Sequence, residues 1–444
     1  MKTLLLLKFV FLFIFSSCSY ATNGENGNSL DEHIKSKANV MVNASDLDAL
    51  IEKASVKKLV LLGEASHGTH EYYAWRDSIS RRLISEKDFN FIVVEGDFAS
   101  LFELNRYVKD LPGAAGSARE VLLKLDRWPM WMWGNHEVLN LIEWLREYNS
   151  SLPADKKVGF YGMDVYDEWR SKEVLINFLK DKAPQLHEKV RDNYDCFTPY
   201  TGDSWAYARD VQEGRADCSD NTVNVVKLIE ENKASLKNIS NYDYFYAVQN
   251  AYVVKNAERF YRKSAQGLRS PSWNARATHM FKTAKRLRNF YGENSKGIVW
   301  AHNTHIGDAS YTDMSTVQQV NIGELSRDHF GADNVLLVGF TTYKGKVQAG
   351  SQWGQPRQEM NVIRAQENSI EEILNRTGYK SFYLIFDDED RNLEEFMKPI
   401  GNRAIGVVYN PQQDFRQYVS TIVPMRYDAL IFFNETKALK PIID

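Results

Sequence analysis

Eight short apolar segments, spread between residues 57 and 434, constrain the fold of this chain more than any other feature. Their Val, Ile, Leu and Phe residues do not alternate with polar ones, so each segment would be apolar on both faces. Many are separated by stretches of helical periodicity. The pattern predicts an α/β fold with a central mixed, largely parallel sheet and helices on both of its faces. The segments are 57–63, 89–97, 156–164, 296–303, 334–340, 380–387, 404–409 and 429–434.

No strand pattern occurs between residues 171 and 290, where the apolar residues follow a helical spacing. We expect this block, about 171–290, to be a helical insertion that forms a lid over the sheet. It would lie within one domain of residues 45–444. Helices are predicted at 222–239, 242–265 and 273–290.

The stretch 193–221 is predicted to be a long irregular loop, and it contains Cys196 and Cys218. In an oxidising compartment these two thiols could form a disulfide. Two buried free thiols are the alternative, because the sequence does not fix the distance between them.

Residues 1–18 combine a basic start, an apolar stretch and small residues before Cys18, which is typical of an export signal and too short to cross a bilayer comfortably. The four residues that end at Cys18 resemble the lipobox of bacterial lipoproteins. We therefore expect a lipid on Cys18, with simple cleavage after Ala21 as the alternative. Residues 19–44 would form a flexible tether, and the protein would reside in the cell envelope, lipid-anchored or periplasmic.

The charge balance excludes one class of partner. The chain carries 55 Lys and Arg against 58 Asp and Glu, for a formal net charge of -3, without a long basic block. Nucleic-acid binding is therefore not expected.

Polar, titratable residues follow four of the predicted strands where each one ends. In open α/β sheets ligands bind beyond the carboxyl ends of the strands, so we expect an active site there. A single His or Glu at a strand end is more often a helix cap, and only the recurrence supports a site. The residues are Glu64, His67, Glu95, Asp97, Asp164, His302 and His305.

The chemistry open to these residues is the activation of water. No G-x-S-x-G motif is present, so a serine nucleophile is not indicated. A histidine such as His67, held by a carboxylate, can act as a general base, and the developing oxyanion would then meet Arg76 or protonated His302. A zinc or iron site that includes His302 and His305 is the rival hypothesis, although no H-E-x-x-H motif accompanies it. We expect no metal and no cofactor.

Four motifs together resemble the erythromycin esterase family, in the same order along the chain. They are Gly-Glu-Ala-Ser-His-Gly (63–68), Val-Glu-Gly-Asp (94–97), Gly-Met-Asp (162–164) and Trp-Ala-His-Asn-Thr-His (300–305). The resemblance implies an α/β core with a helical lid, no required metal, and a hydrolase that opens the lactone ring of macrolide antibiotics and so confers resistance.

The same resemblance implies a role for each matching catalytic residue. His67 would be the general base, with Glu64 and Glu95 as its carboxylate neighbours. His302 would be a second essential histidine, and Arg76 falls where the family has a functional arginine.

Four residues are assigned to substrate binding: Asp164, Arg276, His305 and Trp131. A macrolide is a large apolar ring with a basic amino sugar, so its pocket should be wide, aromatic and slightly acidic. Trp131 lies in an aromatic segment, 127–137, that could equally be ordinary core. The lid helix keeps Arg276 but lacks the acidic and amide residues that usually follow it in the family, which puts the particular substrate in doubt.

Three functions remain open. The first is a macrolide esterase that uses only water and a small-molecule substrate and touches the membrane only through its anchor. The second is a hydrolase of another bulky or cyclic ester, or a metal-dependent hydrolase. The third is a ligand-binding surface lipoprotein.

Overall fold

A computed structural model describes residues 25–236 and 239–443 of the chain. The predicted export signal and Cys18 lie outside these residues. The strands of the described part are β1 (Asn39–Val40), β2 (Leu59–Leu62), β3 (Phe91–Asp97), β4 (Gly159–Asp164), β5 (Gly297–Trp300), β6 (Val335–Gly350), β7 (Arg357–Val362), β8 (Ser381–Ile385), β9 (Ile400–Arg403), β10 (Tyr418–Thr421) and β11 (Ala429–Thr436).

The helices divide into three groups along the chain. Those before β4 are α1 (Glu25–Lys37), α2 (Asp48–Ser55), α3 (His70–Lys87), α4 (Phe98–Lys109), α5 (Ala118–Leu123) and α6 (His136–Ser150). Those between β4 and β5 are α7 (Glu168–Lys182), α8 (Pro184–Tyr194), α9 (Ser204–Gln212), α10 (Ser219–Glu231), α11 (Asn241–Ala265) and α12 (Arg269–Tyr291). Those after β5 are α13 (Asn303–Ile306), α14 (Ile322–Phe330), α15 (Ile370–Asn375), α16 (Asp388–Asn392) and α17 (Val423–Arg426).

The main sheet has the order β1-β8-β11-β6-β2-β5-β3-β4, with β7 paired to β6. The five pairings from β11 across to β4 are parallel, and those of β1, β8 and β7 are antiparallel. The predicted fold class, a mixed and largely parallel sheet between helices, is confirmed. The central strands are apolar on both faces because both faces are covered.

Alternate residues of each central strand enter different cores. Val60 and Leu62 of β2 pack with α2, α3 and α6 on one side of the sheet. Leu59 and Leu61 pack with α11, α12 and α14 on the other. This is the period of two that a strand imposes on its side chains.

The helical insertion runs from α7 to α12 and has an apolar core of its own, which includes Leu179, Val190 and Ile229. The stretch predicted as an irregular loop, 193–221, contains α9 and a short 3₁₀ helix. Its two cysteines, Cys196 and Cys218, are joined by a disulfide bond, with a Cα–Cα distance of 5.9 Å.

One predicted strand, 404–409, is not a strand. Ile405 and Val408 make only single bridges, to Ser66 and Gly350. The segment is apolar because Ile405 and Tyr409 pack in a small core against β6 and β7, and because Ala404 and Val407 line a cavity. A strand inside a sheet and a buried segment outside one have the same apolar sequence pattern.

The predicted flexible tether, 19–44, is wrong from residue 25 on, where the described part begins, because α1 packs on the domain. Leu30 and Ile34, four residues apart, fall on one face of the helix and contact the core. Lys37 Nζ lies 2.8 Å from a carboxylate oxygen of Asp387. Within residues 25–236 and 239–443 no helix is both long and apolar enough to span a bilayer.

Candidate active site

The strand-end residues meet because β2, β5, β3 and β4 are neighbours in the sheet and run parallel. Their carboxyl ends therefore form one continuous edge. Glu64 and His67 follow β2, His302 and His305 follow β5, Glu95 and Asp97 end β3, and Asp164 ends β4. All seven side chains are buried.

His67 is held by Glu64, and Glu64 is held in turn by Arg76. His67 Nδ1 lies 3.0 Å from Glu64 Oε1. Arg76 Nη2 donates to Glu64 Oε2 at 2.8 Å. The carboxylate thus fixes Nδ1–H of His67 as a donor and leaves Nε2, which makes no hydrogen bond to the described residues, as the proton acceptor.

Arg76, in α3, is fully buried. Its guanidinium lies 4.2 Å from the ring centroid of Tyr73 and 4.7 Å from that of Trp300. It lies behind Glu64 and does not line the cavity. The expectation that Arg76 meets an oxyanion directly is therefore wrong, and its contacts are those of a group that supports Glu64.

Arg276 of α12 joins the other carboxylates of the site. Its Nε donates to Asp164 Oδ1 at 2.9 Å, and its Nη2 donates to Asp164 Oδ2 at 2.6 Å and to Glu95 Oε1 at 2.8 Å. His305 Nε2 lies 3.1 Å from Arg276 Nη1 and 3.2 Å from Glu95 Oε1, so it can accept from the first or donate to the second. At least one of the five N–H groups of Arg276 therefore stays free for a ligand.

His302 lies beside His67 but is engaged at both ring nitrogens. The two ring centroids are 4.9 Å apart. Nδ1 of His302 accepts from the Thr304 backbone N–H at 3.2 Å, and Nε2–H donates to the Ile405 carbonyl at 3.2 Å. Burial first, and then the charge of His67, hold the pKa of His302 well below its usual value. The ring is thus neutral, and the expectation of a protonated His302 over the oxyanion is wrong.

A cavity of about 310 Å³ opens above these residues. Of the residues assigned to catalysis, His67, Glu95 and His302 line it, and of those assigned to substrate binding, Asp164, Arg276 and His305 do. Its remaining wall is largely aromatic and apolar and includes Trp133, Tyr166, Trp273, Trp353, Met130, Met132 and Leu125. Four carboxylates, those of Glu95, Asp97, Asp126 and Asp164, line it against two guanidinium groups, those of Arg127 and Arg276.

Trp131 does not line the cavity, contrary to its assignment to substrate binding. Its side chain is 3% exposed and packs in the core on the α6 side of the sheet. Its neighbours Met130, Met132 and Trp133 line the cavity instead. A short 3₁₀ helix, Met130–Met132, turns Trp131 inward. The composition of the segment alone could not show which of these side chains points outward.

Sequence reasoning missed two parts of the site. Trp353 and the segment 404–407 both reach the cavity from the second half of the chain. Neither contains a titratable residue at the end of a strand, so the strand-end pattern does not reveal them. Trp273 also lines the cavity, and its ring stacks on that of His305 with 4.6 Å between the centroids.

The charges around His67 set its proton affinity. Burial alone would lower the pKa of His67, but the hydrogen bond to Glu64 and the charges of Glu64 and Glu95 raise it above 6.5. Burial would likewise raise the pKa of Glu95, but His305 and Arg276 lower it well below its usual value. Glu95 therefore stays ionised while His67 titrates.

This arrangement predicts the pH dependence of a reaction in which His67 is the base. The neutral ring accepts the proton, so kcat/KM should rise with pH and reach half its maximum above pH 6.5, the ordinary value. The Glu64→Gln substitution removes the charge that raises this pKa, so the midpoint should fall. The measurement is kcat/KM from about pH 5 to about pH 9 for both proteins. A midpoint that is unchanged by the substitution would contradict this role of Glu64.

The described residues contain no group of three or more His, Cys, Asp or Glu side chains arranged to hold a metal ion. The donor atoms of the site contact one another or an arginine instead, as shown by Glu95 and Asp164 with Arg276.

Together, the fold and the site define a layered α/β protein with an acid–base cluster at the carboxyl edge of its sheet. Over residues 84–436 the chain matches the family model described as Erythromycin esterase. It is 23% identical over 401 residues to erythromycin esterase type II of Escherichia coli, which covers 84% of this chain and 90% of that protein. The chain belongs to the erythromycin esterase family, and the resemblance inferred from its motifs is confirmed. Membership of this family supports an ester hydrolase.

Three solved structures share the fold. A protein from Bacillus cereus superposes with a TM-score of 0.77 at 20% identity, covering 94% of this chain and 99% of that one. A succinoglycan biosynthesis protein gives 0.73 at 21%, covering 93% and 98%. A mutant of the erythromycin esterase EreC in its open conformation gives 0.66 at 15%, covering 91% and 97%.

Proposed function

We propose that this protein hydrolyses the lactone ester of macrolides by adding water that His67 activates. The observation that carries the proposal is the connected series Arg76–Glu64–His67, which ends in a free Nε2 at the cavity. A buried carboxylate that holds one imidazole nitrogen as a donor makes the other a proton acceptor, as general-base catalysis requires.

The reaction follows from the positions of the groups. Nε2 of His67 takes a proton from water, and the hydroxide adds to the ester carbonyl carbon. The carbonyl oxygen gains negative charge, which the free N–H of Arg276 stabilises from the same cavity. The tetrahedral intermediate then collapses, the ring C–O bond breaks, and His67 returns its proton to the departing alkoxide. The product is the open hydroxy acid.

The character of the cavity supports a bulky, cationic substrate. Apart from its titratable groups its wall is largely aromatic and aliphatic, and its carboxylates outnumber its guanidinium groups, as expected for a ligand with an apolar ring and a protonated amine. Another bulky ester with an amine is the alternative within the same chemistry, because the distant relationship to the named esterases leaves the substrate open.

The test is a mass measurement. We expect purified protein incubated with erythromycin to give a product heavier by one water, and the same product with a chelator present. In ¹⁸O-labelled water the product carboxylate should carry the label. If erythromycin gave no product but another ester did, the substrate would be that other ester. If the chelator abolished activity, the protein would be a metal-dependent hydrolase.

A further inference from the structure

The tip of the β6–β7 hairpin, residues 351–356, forms one side of the cavity mouth. Trp353 stands on this tip and is 68% exposed, yet it lines the cavity. Its ring centroid lies 4.6 Å from that of Trp128. Trp128 Nε1 donates to the backbone carbonyl of Gln355 at 2.9 Å, which ties the tip to the segment on the opposite side.

The hairpin tip is held from a second direction as well. Gly350 N–H donates to the Val407 carbonyl at 2.9 Å, and the Gly350 carbonyl accepts from Tyr409 N–H at 3.0 Å. A Cβ on Gly350 would lie 3.2 Å from the Trp128 ring, so the absence of a side chain allows the close approach. The position of Trp353 is thus fixed by backbone contacts on two sides of the hairpin tip.

The size of the cavity requires a surface outside it. About 310 Å³ is at the lower end of the 300–1,000 Å³ range typical of small-molecule sites. A large lactone ring that carries an amino sugar cannot be enclosed in that space with its ester next to His67. The remainder of such a ligand must rest on the rim, where Trp353 and Met130 expose apolar surface. A contiguous exposed apolar patch at the edge of a cleft is typical of a binding surface.

We propose that Trp353, together with Trp128 and Met130, forms an outer subsite that binds the apolar ring face of a bulky ester. The subsite rests on the proposed function for the identity of its ligand. Trp353 contributes affinity for large substrates and makes no contact with the reacting atoms. It is therefore a specificity-determining residue, and its loss should be felt only by a substrate that extends beyond the cavity.

The experiment compares Trp353→Ala with Trp205→Ala on erythromycin and on p-nitrophenyl acetate. Trp205 is a matched control because it is also exposed, at 50%, and its ring also contacts another aromatic ring, that of Tyr261. It lies on α9 and does not line the cavity. We expect Trp353→Ala to raise KM for erythromycin about tenfold with kcat unchanged within about twofold, since one stacked aromatic contact is lost. Trp353→Phe should recover part of the loss. The ratio of kcat/KM for erythromycin to kcat/KM for p-nitrophenyl acetate should therefore fall about tenfold for Trp353→Ala and keep its wild-type value for Trp205→Ala.

A binding measurement separates the subsite from the proposed reaction. Titration calorimetry with erythromycin, on wild type and on Trp353→Ala, needs no turnover. Weaker binding by Trp353→Ala supports the subsite even if wild type forms no product, in which case only the proposed function fails. The subsite is refuted if erythromycin does not bind wild type, if both tryptophan variants bind it like wild type, or if Trp353→Ala impairs the small ester equally.

Discussion

The His67→Asn variant is expected to lose activity on its ester substrate by about 10³ in kcat, within the 10²–10⁴ that a general base typically contributes. Asparagine can keep a hydrogen bond to Glu64 but cannot accept a proton from water at neutral pH. KM should change little, because the cavity and its aromatic wall stay in place. The measurement is steady-state kinetics on wild type and variant, with product detected by mass.

The control for this substitution is His329→Asn. His329 is exposed on α14, where it packs against Phe281, and it does not line the cavity. It should keep wild-type kcat and KM. Thermal unfolding should show both variants folded. If His67→Asn kept kcat within about tenfold of wild type, the loss of kcat would be too small for the removal of a general base. A different group would then activate the water.

The part of the site that the sequence predicted is the part fixed by the sheet. Glu64, Glu95, Asp164 and His302 each end a strand that is apolar on both faces, and parallel neighbours bring such ends to one edge. Neither strand order nor loop conformation was needed for that inference. The strand pattern alone therefore groups residues that are separated by more than two hundred positions in the sequence.

The sequence could not predict what depends on side-chain direction and on distant backbone contacts. Arg76 lies in a helical segment rich in charged residues, but the rings of Tyr73, on the same helix, and of Trp300, at the end of β5, cover its guanidinium. The carbonyl of Ile405 fixes the tautomer of His302, although its segment has the composition of an ordinary strand. Trp353 reaches the cavity only because the hairpin after β6 extends to Trp128. No periodicity encodes these contacts.

In the proposed reaction Arg276, rather than Arg76, stabilises the oxyanion, and its removal should have the second large effect. The Arg276→Met variant should lose about 10²–10³ in kcat, the typical effect of removing one oxyanion donor. Its free energy of unfolding should also fall by about 3–5 kcal/mol, since Glu95 and Asp164 keep their buried charges without the guanidinium that joins them. The measurements are kcat and denaturant unfolding. The charge of Arg276 lowers the pKa of His67, so the midpoint of kcat/KM should also move to higher pH.

Arg327→Met separates the two effects because Arg327 is a close structural match away from the cavity. Its side chain is 12% exposed against 13% for Arg276, and it also joins two carboxylates, Asp308 at 3.0 Å and Asp428 at 2.9 Å. Arg327→Met should lose comparable stability but keep kcat and its pH midpoint. If both variants lost activity in proportion to their stability, Arg276 would be a structural residue, and the oxyanion would need another donor. If only Arg276→Met had a lower kcat and a higher midpoint of kcat/KM against pH, the Arg276 guanidinium would act through its charge on the reacting atoms and on His67.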